Sequence, residues 1–199
     1  DREIDREVMR ILRELSGRIA QQAHTILAGL DALAELDVVA ARAAFGRQLR
    51  AHPVPLNDEG RIRLRQARHP LLVLSKPHVV ANDLVLDDQV QVLVISGPNT
   101  GGKTVTLKIV GLFALMVKTG MHLPCEPESE MAVFPELFAD IGDAQDLARD
   151  LSSFSAHMTQ MVELLKRTYA GRQALVLLDE PVTSTDPIEG AALAEVLLR

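Results

Sequence analysis

Gly97-Pro98-Asn99-Thr100-Gly101-Gly102-Lys103-Thr104 fits the pattern G-x-x-x-x-G-K-[ST]. Each fixed position has a chemical reason. Glycines let backbone N–H groups curl round phosphate oxygens, the lysine reaches the β- and γ-phosphates of a nucleotide, and the threonine hydroxyl can ligate Mg²⁺. A helix starting at Lys103 aims its positive end at the same phosphates, and the binding run extends to Val105 in its first turn. Four fixed positions arise by chance in about one chain in a hundred of this length at ordinary composition, so the flanks carry weight. Val90–Ser96 has the composition of a fully buried strand entering the glycine turn, and Lys103 to about Thr119 that of a helix.

Leu175-Val176-Leu177-Leu178-Asp179-Glu180 is a second buried strand, ending in two acids. Ligands of open α/β sheets bind at the carboxyl edge, so Asp179 is placed to hold Mg²⁺, directly or through water. Glu180 is then placed to polarise the water that attacks the γ-phosphate. Hydrophobic-Asp-Glu alone is a common strand ending. Paired with the loop, it specifies an ATP and Mg²⁺ site with Lys103 and Glu180 as catalytic groups and Thr104 and Asp179 as metal ligands. A third segment, Leu151–Met158, puts Ser152, Ser153 and Ser155 at the start of a helix expected over about 153–169. Serines there are ordinary N-caps, and the same geometry also makes an anion-binding terminus.

The elements that position these groups are predicted from periodicity. Ile4, Val8, Ile11, Leu15, Ile19, Ile26 and Leu30 follow helical spacing over 4–30, with a break at Gly29-Leu30-Asp31 and a second helix over about 32–50. The pair is expected as an antiparallel hairpin, a helical lever or connector over 1–52. Pro53 and Pro55 end it. Arg61-Ile62-Arg63-Leu64-Arg65 alternates as a strand does, and Leu71–Leu74, Val79–Leu86, Met131–Val133 and Leu137–Ala139 are further short strand candidates. Glu189–Leu198 begins a further helix. This order predicts an α/β domain over 53–199 with a mixed, largely parallel sheet, and the glycine loop, acidic strand and serine-bearing helix together resemble those of ABC-like P-loop NTPases.

The net charge of −6 argues against a domain that wraps DNA by charge alone. Arg61, Arg63, Arg65 and Arg68 cluster early, and acidic residues crowd 126–150; either cluster reads as a solvated face. No apolar run approaches the roughly 20 residues that span a bilayer, so no membrane partner is expected. The charged start Asp1–Asp5, without a Met, is no signal peptide and reads as the beginning of a piece of a longer protein. A lone Cys125 suits a reducing cytoplasm and a small, partly buried role. The six histidines lack metal-ligand spacing.

Gly-Pro-Asn-x-Gly-Gly-Lys-Thr resembles the phosphate loop of MutS proteins. The longer run Gly97–Gly111 is similar to the second bacterial branch, MutS type two. So are Ala67–Leu72, Ala139–Gln145, Leu151–Met158 and Thr185–Ala192, so the likeness covers most of 67–199. The resemblance implies a homodimer with two composite ATP sites, in which Ser153 or Ser155 of one subunit meets the γ-phosphate held by the other. It implies adenine contact along Val79-Val80-Ala81-Asn82, aliphatic because Val79 stands where mismatch-repair relatives often carry an aromatic. Proteins of this branch are associated with branched DNA and recombination intermediates, suppression of homologous recombination and, in some bacteria, ribosomes. Their nuclease domain and switch histidine are expected beyond Arg199. After Glu180 the branch usually reads Leu-Gly-Ala-Gly-Thr-Asp-Pro. Here it is Pro181-Val182-Thr183-Ser184-Thr185-Asp186-Pro187, similar to the Asp-Glu-Pro-Thr-Ser of ABC transporter ATPases. The alternatives are an ABC- or SMC-like ATPase of another family, against which Asn99 and Asp140–Asp143 speak, and a nucleotide-binding module without appreciable turnover.

Overall fold

The computed structural model describes residues 2–87, 89–90, 92–98, 101–141 and 173–179. The residues up to Ala44 form one unit and those from Phe45 on a second, which holds the core and the candidate site.

In the first unit, α1 (Arg2–Gln21) carries the predicted apolar stripe, exposed at every position, with Glu7, Arg10, Glu14 and Arg18 linked by ion pairs one turn apart. The expected break at Gly29–Asp31 is absent. Instead α2 runs unbroken from Ala23 to Leu49, and only Gln22 separates it from α1. The Ile26 N–H donates to the Gln22 carbonyl, so helical bonding resumes at once. One residue is too few to reverse the chain, and the antiparallel hairpin is corrected to two helices in direct succession. Gly29 meets no neighbouring atom, and an exposed helix absorbs such a glycine at about 1 kcal/mol.

In the second unit, alternation builds the first sheet. Ile62, Leu64 and Ala67 of β2 (Ile62–Ala67) are buried while Arg63 and Arg65 face out. β2 pairs antiparallel with β3 (Asn82–Leu86), from Ile62↔Leu86 to Ala67↔Asn82. A register shift falls before Ala67, where Gln66 takes φ 50° and its N–H donates to Asp83 Oδ1 at 2.7 Å. Leu71–Leu74, expected as a strand, lies instead in the short helix α3 (Pro70–Ser75). Pro70 explains the change: proline is preset for a first helical turn, where its missing N–H has no partner to lose.

β1 (Leu56–Asn57) pairs parallel with β4 (Met131–Ala132), and β5 (Glu136–Asp140) parallel with β6 (Ala174–Leu178), in register from Glu136↔Ala174 to Asp140↔Leu178. The mixed α/β class holds. The single, largely parallel sheet that was expected does not form among the described residues: there are three two-stranded sheets, two parallel and one antiparallel. Val90–Ser96 is a second correction. Its described residues form no strand, and Val92, Leu93 and Val94 are exposed. Burial of an apolar strand requires a ladder partner and cover on both faces; β6 takes β5 as its partner, and no described strand takes 92–96.

α4 (Lys103–Lys118), close to the predicted bounds, packs on β4, β5 and β6 and buries Ile109, Val110, Phe113, Ala114, Met116 and Val117. Phe113 has no exposed surface and meets a core that includes Leu49, Ile62, Leu64, Leu123, Met131, Leu175 and Leu177. The helix closes at Gly120, in the left-handed region at φ 70°. The predicted helices over 153–169 and 189–198 fall outside the described residues.

Candidate functional site

The glycine turn is built by its own backbone. Gly97 and Pro98 are exposed, and the Gly101 N–H donates to the Pro98 carbonyl at 2.9 Å. Gly102 caps α4 with φ 79° and ψ 16°, a left-handed conformation that costs glycine nothing and a residue with a Cβ about 1–2 kcal/mol. Its carbonyl accepts from the Thr106 N–H at 2.9 Å and the Thr106 hydroxyl at 3.0 Å. The first N–H groups of α4 therefore open onto the turn with the positive helix end behind them. Val105 is partly buried against the apolar cluster.

Lys103 and Thr104 reach in different directions. The Lys103 ammonium donates to the Gly97 carbonyl at 2.6 Å, folding back across the turn. The Thr104 hydroxyl donates to Asp179 Oδ2 at 2.6 Å, across 75 positions of chain. Asp179 is held in turn by its own N–H, which donates to the Asp140 carbonyl at 2.9 Å and extends the β5–β6 ladder by one rung. At the other end of α4 the Lys118 ammonium donates to the Pro135 carbonyl at 2.8 Å, just before β5. The helix thus runs antiparallel to β5 and β6, its N-terminus at their carboxyl edge.

The structure joins Thr104 to Asp179, and Gly97, Pro98, Gly101, Gly102 and Lys103 belong to the turn that leads into Thr104. Asn82 opens β3 opposite Ala67, and no hydrogen bond joins it to the turn among the described residues. Asn99, Thr100, Ser152, Ser153, Ser155 and Glu180 lie outside the described residues. Two contributors escape a reading by residue type. The Asp140 carbonyl fixes Asp179 through the main chain, where side-chain chemistry gives no signal. Gly111, buried in the middle of α4 against Leu177, left one clue, a glycine where helices disfavour it.

A threonine hydroxyl and a carboxylate 2.6 Å apart, beside a lysine at a helix N-terminus, are oxygen donors of the kind a hard divalent cation takes, with a cationic and backbone cradle for an anion. The donor set fits a magnesium nucleotide.

Residues 93–199 match the family described as MutS domain V. The chain is 49% identical over 193 residues to Endonuclease MutS2 of Shouchella clausii, covering 97% of this chain and 24% of that protein. It is 47% identical to Endonuclease MutS2 of Halalkalibacterium halodurans and 46% identical to that of Caldicellulosiruptor saccharolyticus, with the same coverage of 97% and 24%. The chain spans about a quarter of the length of these curated relatives. The phosphate-loop pattern, the acidic strand that meets it and these similarities together assign the chain to the MutS family, as a protein segment of the MutS2 type.

Proposed function

We propose that this chain binds ATP with Mg²⁺ at the turn between Gly97 and Val105, within an ABC-like P-loop ATPase domain over 53–199 that a helical lever over 1–52 precedes. The observation that carries the reading is the 2.6 Å contact from the Thr104 hydroxyl to Asp179. It joins a hydroxyl and a carboxylate from distant parts of the sequence, which supports their reading as a shared magnesium site. Thr104 and Asp179 hold the cation, Asp179 directly or through water. The glycine turn and the N–H groups of α4 hold phosphate oxygens, and Lys103 exchanges the Gly97 carbonyl for the phosphates. Bound Mg²⁺ supplies neutralisation of the charge that develops on the transferred phosphoryl group. Glu180 orients the attacking water and accepts its proton. Asn82 lies in the stretch that meets the adenine.

Hydrolysis is coupled to dimer closure. Ser153 of a second copy, with Ser152 and Ser155 beside it, completes each site at the γ-phosphate. The parent protein is a homodimer that acts on DNA, with branched or recombination intermediates as its substrates; suppression of recombination, nuclease action and any contact with ribosomes belong to segments outside 1–199. The lone buried thiol suits a cytoplasmic setting, and no helix among the described residues is long and apolar enough to cross a membrane.

The test is titration of the purified chain with a fluorescent ATP analogue and Mg²⁺, with light scattering on the same samples. Saturable, Mg²⁺-dependent binding supports the site, and nucleotide-driven doubling of mass supports closure. Absence of binding overturns the reading.

A further inference from the structure

Gly111 is the one glycine within α4. It is not there for a special backbone conformation, since its φ is that of the helix around it. What it supplies is space. A Cβ at this position would stand 2.8 Å from Leu177 Cδ1, well inside the about 3.5–4.0 Å of carbon contact. Leu177 is only 4% exposed and belongs to the core, so its side chain has little room to swing aside.

The place of this contact matters. Gly111 lies two helical turns after Thr104 on the same face of α4. Leu177 of β6 lies two positions before Asp179, which follows the strand directly and continues its ladder by one bond. The Gly111–Leu177 contact and the Thr104–Asp179 hydrogen bond are therefore successive points on one seam, and the Lys118 bond to the Pro135 carbonyl closes its far end. With both ends tied and Leu177 packed in the core, a methyl group inserted midway either forces the Leu177 side chain aside against its neighbours or shifts the helix on the strand.

We infer that Gly111 is a positioning residue for the cation site: by allowing α4 to seat on Leu177, it sets the separation of Thr104 from Asp179 and hence the affinity for the divalent ion. This rests on the reading of Thr104 and Asp179 as cation ligands, and it adds a determinant remote from every group that touches nucleotide.

The experiment uses Mn²⁺ as probe, followed by its EPR signal in the complex with a non-hydrolysable ATP analogue, for the wild type, Gly111→Ala, Leu177→Val and the double variant. Valine lacks the Cδ1 atom that the methyl group of Gly111→Ala would strike. Gly111→Ala is expected to weaken Mn²⁺ binding about tenfold, the scale on which overpacking a buried contact acts, with analogue affinity in EDTA within about twofold of wild type. Leu177→Val should leave Mn²⁺ affinity near wild type and restore it in the double variant. Unchanged Mn²⁺ affinity in Gly111→Ala overturns the inference alone, as does a loss that Leu177→Val fails to recover or that falls equally on binding in EDTA. If Gly111→Ala does not fold, the double variant decides: wild-type Mn²⁺ affinity supports the pairing, and weak affinity in a folded double variant overturns it. Failure of the wild type to bind Mn²⁺ with the analogue would instead overturn the cation-site reading, and the inference with it.

Discussion

Lys103 and Asp179 illustrate how charge is kept ready for a ligand. The Lys103 ammonium donates to the Gly97 carbonyl at 2.6 Å, so a phosphate must compete with that contact. A charged oxygen does so, and Lys103→Ala is expected to weaken nucleotide binding by about 1.5–3 kcal/mol, measured by calorimetric titration. Asp179→Asn retains the shape but not the charge facing the Thr104 hydroxyl. Its cost should fall on Mg²⁺-dependent affinity, with little change in EDTA. Glu180→Gln should abolish whatever turnover the chain has, read by phosphate release; undiminished release after contaminants are removed would sink that role. A different residue governs pH dependence. Burial first, and the charge of Lys108 second, hold the His69 imidazole below its ordinary value of 6.5, and its Nδ1 atom has no hydrogen-bond partner among the described residues. The unfolded chain therefore takes this proton more readily than the fold does. Stability rises with pH through the window below 6.5 and falls as the pH is lowered through it. The urea midpoint should be lower at about pH 5.5 than at about pH 7.5, and His69→Asn should narrow that difference. At this scale residue type was informative to one point: the pattern singled out Thr104 and Asp179, and their side chains meet in the structure. The Asp140 carbonyl was invisible, because any residue at that position offers the same atom.

Elements were legible where one periodicity governed them. The alternation of Ile62–Arg65 gave β2, and the apolar spacing after Lys103 gave α4 nearly to the residue. Three expectations failed for distinct reasons. The run Leu71–Leu74 is too short for period to separate strand from helix, and Pro70 settled it. Gly29 looks like a stop signal in a list of residues, yet it sits in a helix rich in alanine and leucine that tolerates it. Val90–Ser96 has strand composition, but a strand exists only through its neighbours. At the same scale α4 is the spine of the second unit, and Phe113 is its deepest side chain. Phe113→Ala leaves a cavity among residues tied to both β2 and β6. It should lower unfolding free energy by about 3–5 kcal/mol in a denaturant titration, with the helix content of α1 unchanged in circular dichroism.

For the whole molecule, the acidic balance of −6 bears on association. Two copies of this chain repel weakly at long range, so the proposed nucleotide-driven closure should be favoured by added salt and should weaken at low ionic strength, measurable by light scattering across a salt series. The single cysteine adds a means of watching such changes. Cys125 is 1% exposed, and burial raises its thiol pKa. It sits between the Leu123 N–H···O=C bridge to His52 and the Glu126 N–H bond to the Arg65 carbonyl, with its own carbonyl 2.8 Å from His52 Nδ1. A thiol reagent in solution can reach that sulfur only when these bonds part. The rate at which the chain takes up one equivalent of label is thus a clock for the transient opening of the segment that ties α2 to β2. It can be read without a probe being engineered in, and with and without ligand in the same tube.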